Sequence, residues 1–345
     1  MANKRIGLMG CGTVADYGHA PAIQQTAGLE LQALFDPHAG RLQALQAKFA
    51  VPQASTDLET FFNSGIDAVV ITSPAPCHRD NVRAAARHAK HVLCEKPLAM
   101  SVDECQEMVD AARAAGIMLF TAFDYRFSPV SLKIRELVRA RAVGEVRSLR
   151  LIYVWNLHGK YVRNAAGERV ESERRRGRML EGGPMVDCGV HQIDLARFWL
   201  GSEIARWSAA GAWVDEYEAP DHMYLHLDHE NGAHTTVEMS FSYAHTAAEP
   251  VRQFVYELIG TEGLIRYDRE AKLFEVRDSQ RTTVLEVYPE KNFAGMYAAF
   301  AAALHAGHSE VLPSGYDGLV AARVSRAATE QLIRDRFRPH HPASR

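Results

Sequence analysis

An apolar run, Ile6-Gly7-Leu8-Met9, ends directly in Gly10-Cys11-Gly12-Thr13-Val14-Ala15. A strand that stops on Gly-x-Gly-x-x-Ala and opens a helix can be built in few ways. The first glycine permits a tight turn. The second lets the backbone approach a pyrophosphate, and the small third residue lets the helix pack close to the sheet. Free N–H groups at the helix N-terminus then meet the phosphate. Leu29 to Phe35 reads as the next strand and closes on Asp36, 24 residues after Gly12. A carboxylate there accepts hydrogen bonds from a ribose 2′-OH and repels a 2′-phosphate. The pattern therefore predicts dinucleotide binding, with NAD favoured over NADP. His38 and Arg41 lie near enough in sequence to keep NADP open. The alternative is a glycine turn that binds nothing.

Strand and helix go on alternating. Helical stretches run from Thr13 to Ala27, Arg41 to Phe49, His78 to Ala89 and Val102 to Ala115. Between them lie apolar strands, Ala68 to Thr72, His91 to Cys94 and Ile117 to Phe123. Nearly continuous apolar strands of this kind are buried on both faces, and right-handed strand–helix units build a doubly wound parallel sheet. The character changes after Phe123. A helix over Val130 to Ala140 precedes strands at Val146–Trp155, Met223–Leu227, His234–Ser242, Arg252–Ile259, Leu264–Tyr267, Phe274–Arg277 and Thr283–Tyr288. Asn231-Gly232 reads as a hairpin turn with positive φ at both positions. Helices are expected at Asp187–Leu200, Phe293–His305 and Gly315–Arg334. The fold class is α/β: an N-terminal Rossmann doubly wound parallel sheet over 1–123, and a C-terminal α+β domain with a large, mostly antiparallel sheet over 124–338. Residues 339–345 are expected to form a loose tail.

Composition narrows the function classes. Lys plus Arg number 39 and Asp plus Glu 42 in 345 residues, a net charge of −3. That is no basic surface for a nucleic acid or an anionic membrane. No apolar run approaches the ~18–20 residues of a membrane span. The N-terminus shows no signal-peptide cleavage site, and the five cysteines are widely spaced without Cys-x-x-Cys. Reduced thiols in the cytoplasm are expected.

Two clusters can carry chemistry. Glu95-Lys96-Pro97 follows the strand His91–Cys94, and Thr72 to His78 forms another strand-end loop. Strand C-termini at the switch of a doubly wound sheet are where ligands bind. On composition alone, a lysine before proline is usually surface. In the second cluster Asp187, His191 and Asp194 stand at i, i+4 and i+7, on one face of a helix. A histidine beside a carboxylate can act as a general base; the same spacing also suits a capping aspartate and a buried histidine. No metal site is expected there, nor from His222, His226, His229 and His234, of which His229 falls in the turn. Arg174-Arg175-Arg176 with Arg178 reads as a solvated loop or subunit contact, or as a lid over the substrate.

Taken together, these motifs resemble the glucose-fructose oxidoreductase / inositol dehydrogenase (Gfo/Idh/MocA) family. The resemblance rests on Gly10-x-Gly12-x-x-Ala15, on Thr72 to His78 with Glu95-Lys96-Pro97-Leu98, on Asp124-Tyr125-Arg126-Phe127-Ser128-Pro129, on Gly182-Gly183 through Asp187-x-x-x-His191-x-x-Asp194, and on Leu258 to Gly263. There are departures: Ala89 stands where Gly before Lys-His-Val is usual, and Asp124 where Asn is common. The resemblance implies an NAD(P)-dependent dehydrogenase of a sugar, inositol or related polyol. It implies catalytic roles for Lys96 and His191, with Asp187 holding substrate or tuning His191. The cofactor is expected at Gly10, Gly12, Thr13, Val14, Ala15, Asp36, Ser73, Pro74, His78, Glu95 and Lys96, with His78 and Glu95 at its ribose. Tyr125, Trp155, His158 and Arg163 are candidate substrate contacts, although Tyr125 and Trp155 could equally pack the core.

Two further readings share the fold: a glycosidase that retains NAD and works by transient oxidation and elimination, and a non-catalytic, cofactor-dependent regulator. An open antiparallel sheet needs its outer face covered, and the resemblance implies a homodimer or homotetramer paired through the C-terminal sheet.

Overall fold

The computed structural model describes residues 2–155, 159–243, 247, 249 and 251–336. The chain divides into two compact units, one comprising Met1–Pro129 and Pro289–Ala322, the other Val130–Tyr288 and Arg323–Arg345. The first begins with β1 (Lys4–Met9), α1 (Ala20–Gln25), β2 (Leu29–Phe35), α2 (Ala39–Phe49), β3 (Gln53–Ser55) and α3 (Leu58–Phe62). It continues with β4 (Ala68–Ile71), α4 (His78–Arg87), β5 (His91–Cys94), α5 (Val102–Ala114) and β6 (Leu119–Thr121). The six strands pair in parallel in the order β3-β2-β1-β4-β5-β6. The order reverses between β1 and β4, which opens a crevice at their C-terminal ends. Side chains alternate across β1: Ile6 and Leu8 join the apolar core on one face, Met9 the core on the other.

The second unit contains α6 (Pro129–Arg139), β7 (Val146–Val154), β8 (Tyr161–Arg163), β9 (Arg169–Glu171), α7 (Glu173–Leu180) and α8 (Val190–Leu200). Then come β10 (Ile204–Ala212), β11 (His222–His229), β12 (His234–Ser240), β13 (Gln253–Gly260), β14 (Gly263–Asp268), β15 (Leu273–Asp278) and β16 (Thr282–Val284). Eight strands run β10-β11-β12-β7-β13-β14-β15-β16, antiparallel except for β12 against β7. One face is apolar, with Met223, Leu225, Val237, Leu151, Tyr256 and Leu258 buried. Trp199 of α8 closes that face, its ring edge-on to Tyr256 at 5.0 Å and its N–H donating to Ser131 O. The hairpin between β11 and β12 is where the turn residues place it, but only Gly232 has positive φ, at 84°. The loop is longer than two residues: His229 N donates to Ala233 O and Gly232 N to His229 O. Asn231 instead uses its side chain to accept from Ala233 N.

Two helices end the described chain, α9 (Phe293–Ala306) and α10 (Gly315–Arg336). The contiguous reading assigned both to the second domain. The structure assigns α9 to the first unit, because Met296, Tyr297, Phe300 and Leu304 bury into the core that holds Ile6, Leu8 and Ile23. Leu319 and Ala322 of α10 complete the opposite core beside Met9 and Val69, while residues from Arg323 onward belong to the second unit.

Candidate active site

The glycine loop sits at the reversal of strand order. Gly10 has φ +102°, and a Cβ there would lie 2.5 Å from Ser73 N, so only glycine fits. Gly10 N donates to Phe35 O, Thr72 N to Met9 O and Thr72 Oγ1 to Gly10 O, stitching three strand ends together. Gly12 is different. A Cβ there would have nothing within 4 Å. That open space beside Thr13 and Val14, in the first helical turn, is the cradle a pyrophosphate needs. The residues present therefore fit the phosphates of a dinucleotide.

Asp36 ends β2 buried, with one oxygen accepting from Cys11 N and the other from His38 N, each at 2.8 Å. The carboxylate thus braces the glycine loop and keeps lone pairs for a ribose hydroxyl. Burial and the charge of Asp36 push the Cys11 thiol up to about 12, which makes it inert. All five cysteines are free thiols.

Behind the loop, His78 is fully engaged. Nε2 faces Ser73 O at 2.8 Å, and Nδ1 faces Pro97 O and Leu98 O at 3.1 Å each. Burial pushes its pKa down. His78 therefore ties the Ser73–Pro74 loop to the Lys96–Pro97 loop; the ribose contact expected of it finds both ring nitrogens already bonded to protein carbonyls. Glu95 follows β5, its N–H donating to Ile71 O. Its Oε1 lies 2.8 Å from His19 Nε2, and its Oε2 accepts from Lys96 N at 3.0 Å. Burial alone would raise its pKa, but the bond and charge of His19, with Lys96, hold it down at about 2. Asp124 lies beyond β6, buried, and its Oδ2 has no hydrogen-bond partner. Burial is the largest cause of its rise to about 6, with Glu95 adding to it and Lys291 and Lys96 opposing. The ring of Tyr125, also buried, is covered by Lys291 Nζ at 5.6 Å, so Tyr125 packs within the first unit.

In the second unit, Asp187, His191 and Asp194 are all buried. They do not share one regular α-helix as the spacing predicts. Asp187 lies in a π-turn, Met185–Gly189, and the α-helix starts at Val190. The wide turn is possible because Gly189 has no side chain; a Cβ would collide with Met185 Sδ. A second π-turn, Ala15–His19, follows the glycine loop, and Gly18 there packs against the Phe293 ring in the same way. Such wide turns recur at functional sites because they re-aim one side chain. Arg178 Nη1 stands 3.6 Å from Asp187 Oδ1 and 2.7 Å from Glu181 Oε2.

The arginine run is helical, not a loop; Arg174 and Arg176 are exposed, as a solvated run would be, and Arg175 is the exception. The run forms α7, N-capped by Ser172. Arg175 is fully buried, 2.9 Å from Asp215 Oδ2, 3.7 Å from Asp221 Oδ2 and 2.6 Å from Ser242 Oγ. Trp155 packs edge-on to Tyr153 at 4.6 Å, and Tyr153 to Phe254 at 4.8 Å, an aromatic ladder across the sheet. Arg163 is exposed and donates to Gly167 O within its own hairpin. His158 lies outside the described residues. His229, expected in the turn, is the buried last residue of β11, its Nε2 2.9 Å from Thr235 Oγ1. His19 and Tyr297 escape the sequence reading, because each acts through a partner distant along the chain; Arg178, named in the arginine run, meets Asp187 nine residues on.

The chain is similar to known proteins along most of its length. Residues 4–123 match the family model for the Gfo/Idh/MocA oxidoreductase family, NAD-binding Rossmann fold, and residues 131–266 match the Gfo/Idh/MocA C-terminal domain. A D-xylose 1-dehydrogenase (NADP(+)) 2 from Haloferax volcanii is 31% identical over 70% of each chain. A scyllo-inositol 2-dehydrogenase (NAD(+)) from Bacillus subtilis is 27% identical over 76% of this chain and 72% of its own. Among solved structures, an oxidoreductase from Agrobacterium radiobacter in complex with NAD+, L-tartaric acid and magnesium aligns over 97% of both chains, with a TM-score of 0.79 and 23% identity. The chain therefore belongs to the Gfo/Idh/MocA family and is an NAD(P)-dependent oxidoreductase of the sugar and polyol dehydrogenase kind.

Proposed function

We propose that the protein oxidises a secondary hydroxyl or hemiacetal carbon of a sugar, inositol or related polyol. The observation that carries this reading is Lys96, placed after β5 in the same unit as a glycine cradle shaped for a dinucleotide. The names of the relatives support the substrate class. NAD, when bound, supplies the hydride acceptor, and Asp36 favours it over NADP. Gly10, Gly12, Thr13, Val14, Ala15, Asp36, Ser73, Pro74 and Glu95 are the residues that would hold it.

His191 takes the proton from the hydroxyl as its carbon gives up a hydride. Lys96 donates a hydrogen bond to the same oxygen and stabilises the negative charge that grows there. Asp187 orients His191 or a substrate hydroxyl, and Arg178 holds the Asp187 carboxylate in place. Trp155, Tyr125, His158 and Arg163 remain proposals for substrate contact; the packing of the first two favours a structural role. The second unit would also pair copies into a homodimer or homotetramer through its open sheet face, and the protein would work in the cytoplasm. Among the described residues no helix is long and apolar enough to cross a membrane.

The test is a panel of sugars, inositols and glycosides offered with NAD and then NADP. Net reduced cofactor with a free sugar or polyol is expected, lost in Lys96→Ala and in His191→Ala while NADH still binds. Full turnover in both variants would sink the assignment. Release of free sugar from a glycoside, with no net reduction and with NAD retained through purification, would favour the redox-assisted glycosidase.

A further inference from the structure

Lys96 is held from behind by a chain of buried polar groups that no motif announces. Tyr297 Oη lies 2.6 Å from His19 Nδ1, His19 Nε2 lies 2.8 Å from Glu95 Oε1, and Glu95 Oε2 accepts from Lys96 N at 3.0 Å. His19 and Tyr297 are completely buried. Three separate elements supply these groups: the π-turn after the glycine loop, the end of β5, and α9. The His19 ring is also fixed by edge-on contacts with Phe293 at 5.1 Å and Tyr297 at 5.8 Å. Its tautomer follows from its partners. Burial raises Tyr297 well above its ordinary pKa, so the phenol keeps its proton. When the ring is neutral, Tyr297 O–H donates to Nδ1; in either charge state Nε2–H donates to the Glu95 carboxylate.

We propose that His19 is a positioning residue for Lys96: anchored by Tyr297, it fixes the Glu95 carboxylate against the Lys96 backbone N–H and draws off part of the negative charge that Glu95 directs at the Lys96 side chain. The proposal rests on the dehydrogenase reading for what Lys96 does, but not for how Lys96 is held. Losing the His19 bond has two consequences. Glu95 loses the largest influence that keeps it ionised in a buried place, so its pKa rises. At higher pH, where Glu95 stays ionised, its undivided charge holds the proton on Lys96 more tightly. Other titratable groups that feel Glu95 or Lys96 include His78 at the start of α4, Cys94 at the end of β5 and Asp124 on the turn after β6, which Lys291, before α9, also faces. All of them remain in the variants below.

The test uses the full-length chain and two readouts. In the first, acetic anhydride labels lysines in competition across a pH series, and Lys96 is followed by peptide mass spectrometry, with no need for turnover. In the second, turnover and NADH binding are measured against pH. His19→Leu should raise the Lys96 labelling midpoint by about half a pH unit or more and add an acid limb to turnover at about pH 5–7. It should lower kcat about 10- to 100-fold, with the cofactor Kd within about threefold of wild type. Tyr297→Phe keeps the ring packing and should shift both readouts the same way, by less. His19→Gln, whose amide can still donate to Glu95, should recover most of the loss. If His19→Leu does not fold, Tyr297→Phe and His19→Gln decide the matter. Wild-type labelling and pH profiles in the variants, with only the melting temperature lowered, would overturn the proposal. A shifted labelling midpoint in a protein that turns over no sugar would uphold the positioning role and refute the dehydrogenase reading. Turnover by the wild type with an unmoved midpoint would do the reverse.

Discussion

Asp124 allows a quantitative test of the buried charge network. Its carboxyl is buried, its Oδ2 has no hydrogen-bond partner, and its pKa stands at about 6 against an ordinary 3.8. The folded protein therefore binds the Asp124 proton more tightly than the unfolded chain does. A raised carboxyl pKa works against stability as pH increases. The penalty is absent below the ordinary pKa, grows between 3.8 and about 6, and is complete above it. The rise is worth about 3 kcal/mol. Asp124→Asn keeps the shape and stays neutral at every pH. It should therefore be stabilising by about 3 kcal/mol above neutrality and close to silent near pH 4. All four tryptophans, Trp155, Trp199, Trp207 and Trp213, belong to the second unit, so their fluorescence does not follow this site. Hydrogen exchange of the β1 and β4 amides, measured at both pH values, reports the first unit directly. An Asn variant equally stabilised at both pH values would refute the reasoning, because its gain would owe nothing to ionisation; one destabilised above neutrality would do so too, because Asp124 would then carry a satisfied charge.

Three further outcomes follow from backbone and charge. Gly10→Ala should cost about 2–5 kcal/mol, the sum of a disfavoured φ and a backbone collision, whereas Gly12→Ala should leave the melting temperature unchanged and weaken NADH binding; paired melting and titration curves check both. Ala89 is exposed and sits at φ +52° just after α4, so Ala89→Gly should stabilise by roughly 0.5–1 kcal/mol in urea unfolding, and a loss of stability would count against the left-handed assignment. Arg175→Met should destabilise the second unit by about 3–5 kcal/mol, read by tryptophan fluorescence, because it takes the guanidinium from buried Asp221 and leaves buried Asp215 with Lys160 alone.

How far the sequence reveals this protein depends on how local each signal is. β1, the glycine loop and Asp36 are legible because a tight turn, an open phosphate cradle and a strand-end acid each demand particular residue types within a few positions. The oddity at Ala89, a non-glycine where the family uses glycine, marks a real left-handed residue. β10 escapes notice because Ile204-Ala-Arg-Trp-Ser-Ala-Ala-Gly-Ala is an edge strand of mostly small residues with little apolar alternation. β3 and α3 are too short to show a period. The burial of Arg175 depends on acids 40 or more residues away, so its neighbours alone suggest a solvated run. The return of α9 to the first core, and with it the bond from Tyr297 to His19, spans 278 residues and leaves no local trace. The parallel pairing of β12 with β7 is non-local in the same sense.

Direct hydride transfer from a carbinol carbon is the step on which the proposed reaction stands. The most direct measurement takes the sugar or polyol that turns over in the panel, labels that carbon with deuterium, and follows the label by NMR in wild type, Lys96→Ala and His191→Ala. Wild type should place one deuterium on nicotinamide C4, with reduced cofactor and oxidised sugar formed in equal amounts, and neither variant should transfer label while both still bind NADH. Label washed into water without net reduction of the cofactor, or transfer undiminished in both variants, would contradict the proposed reaction.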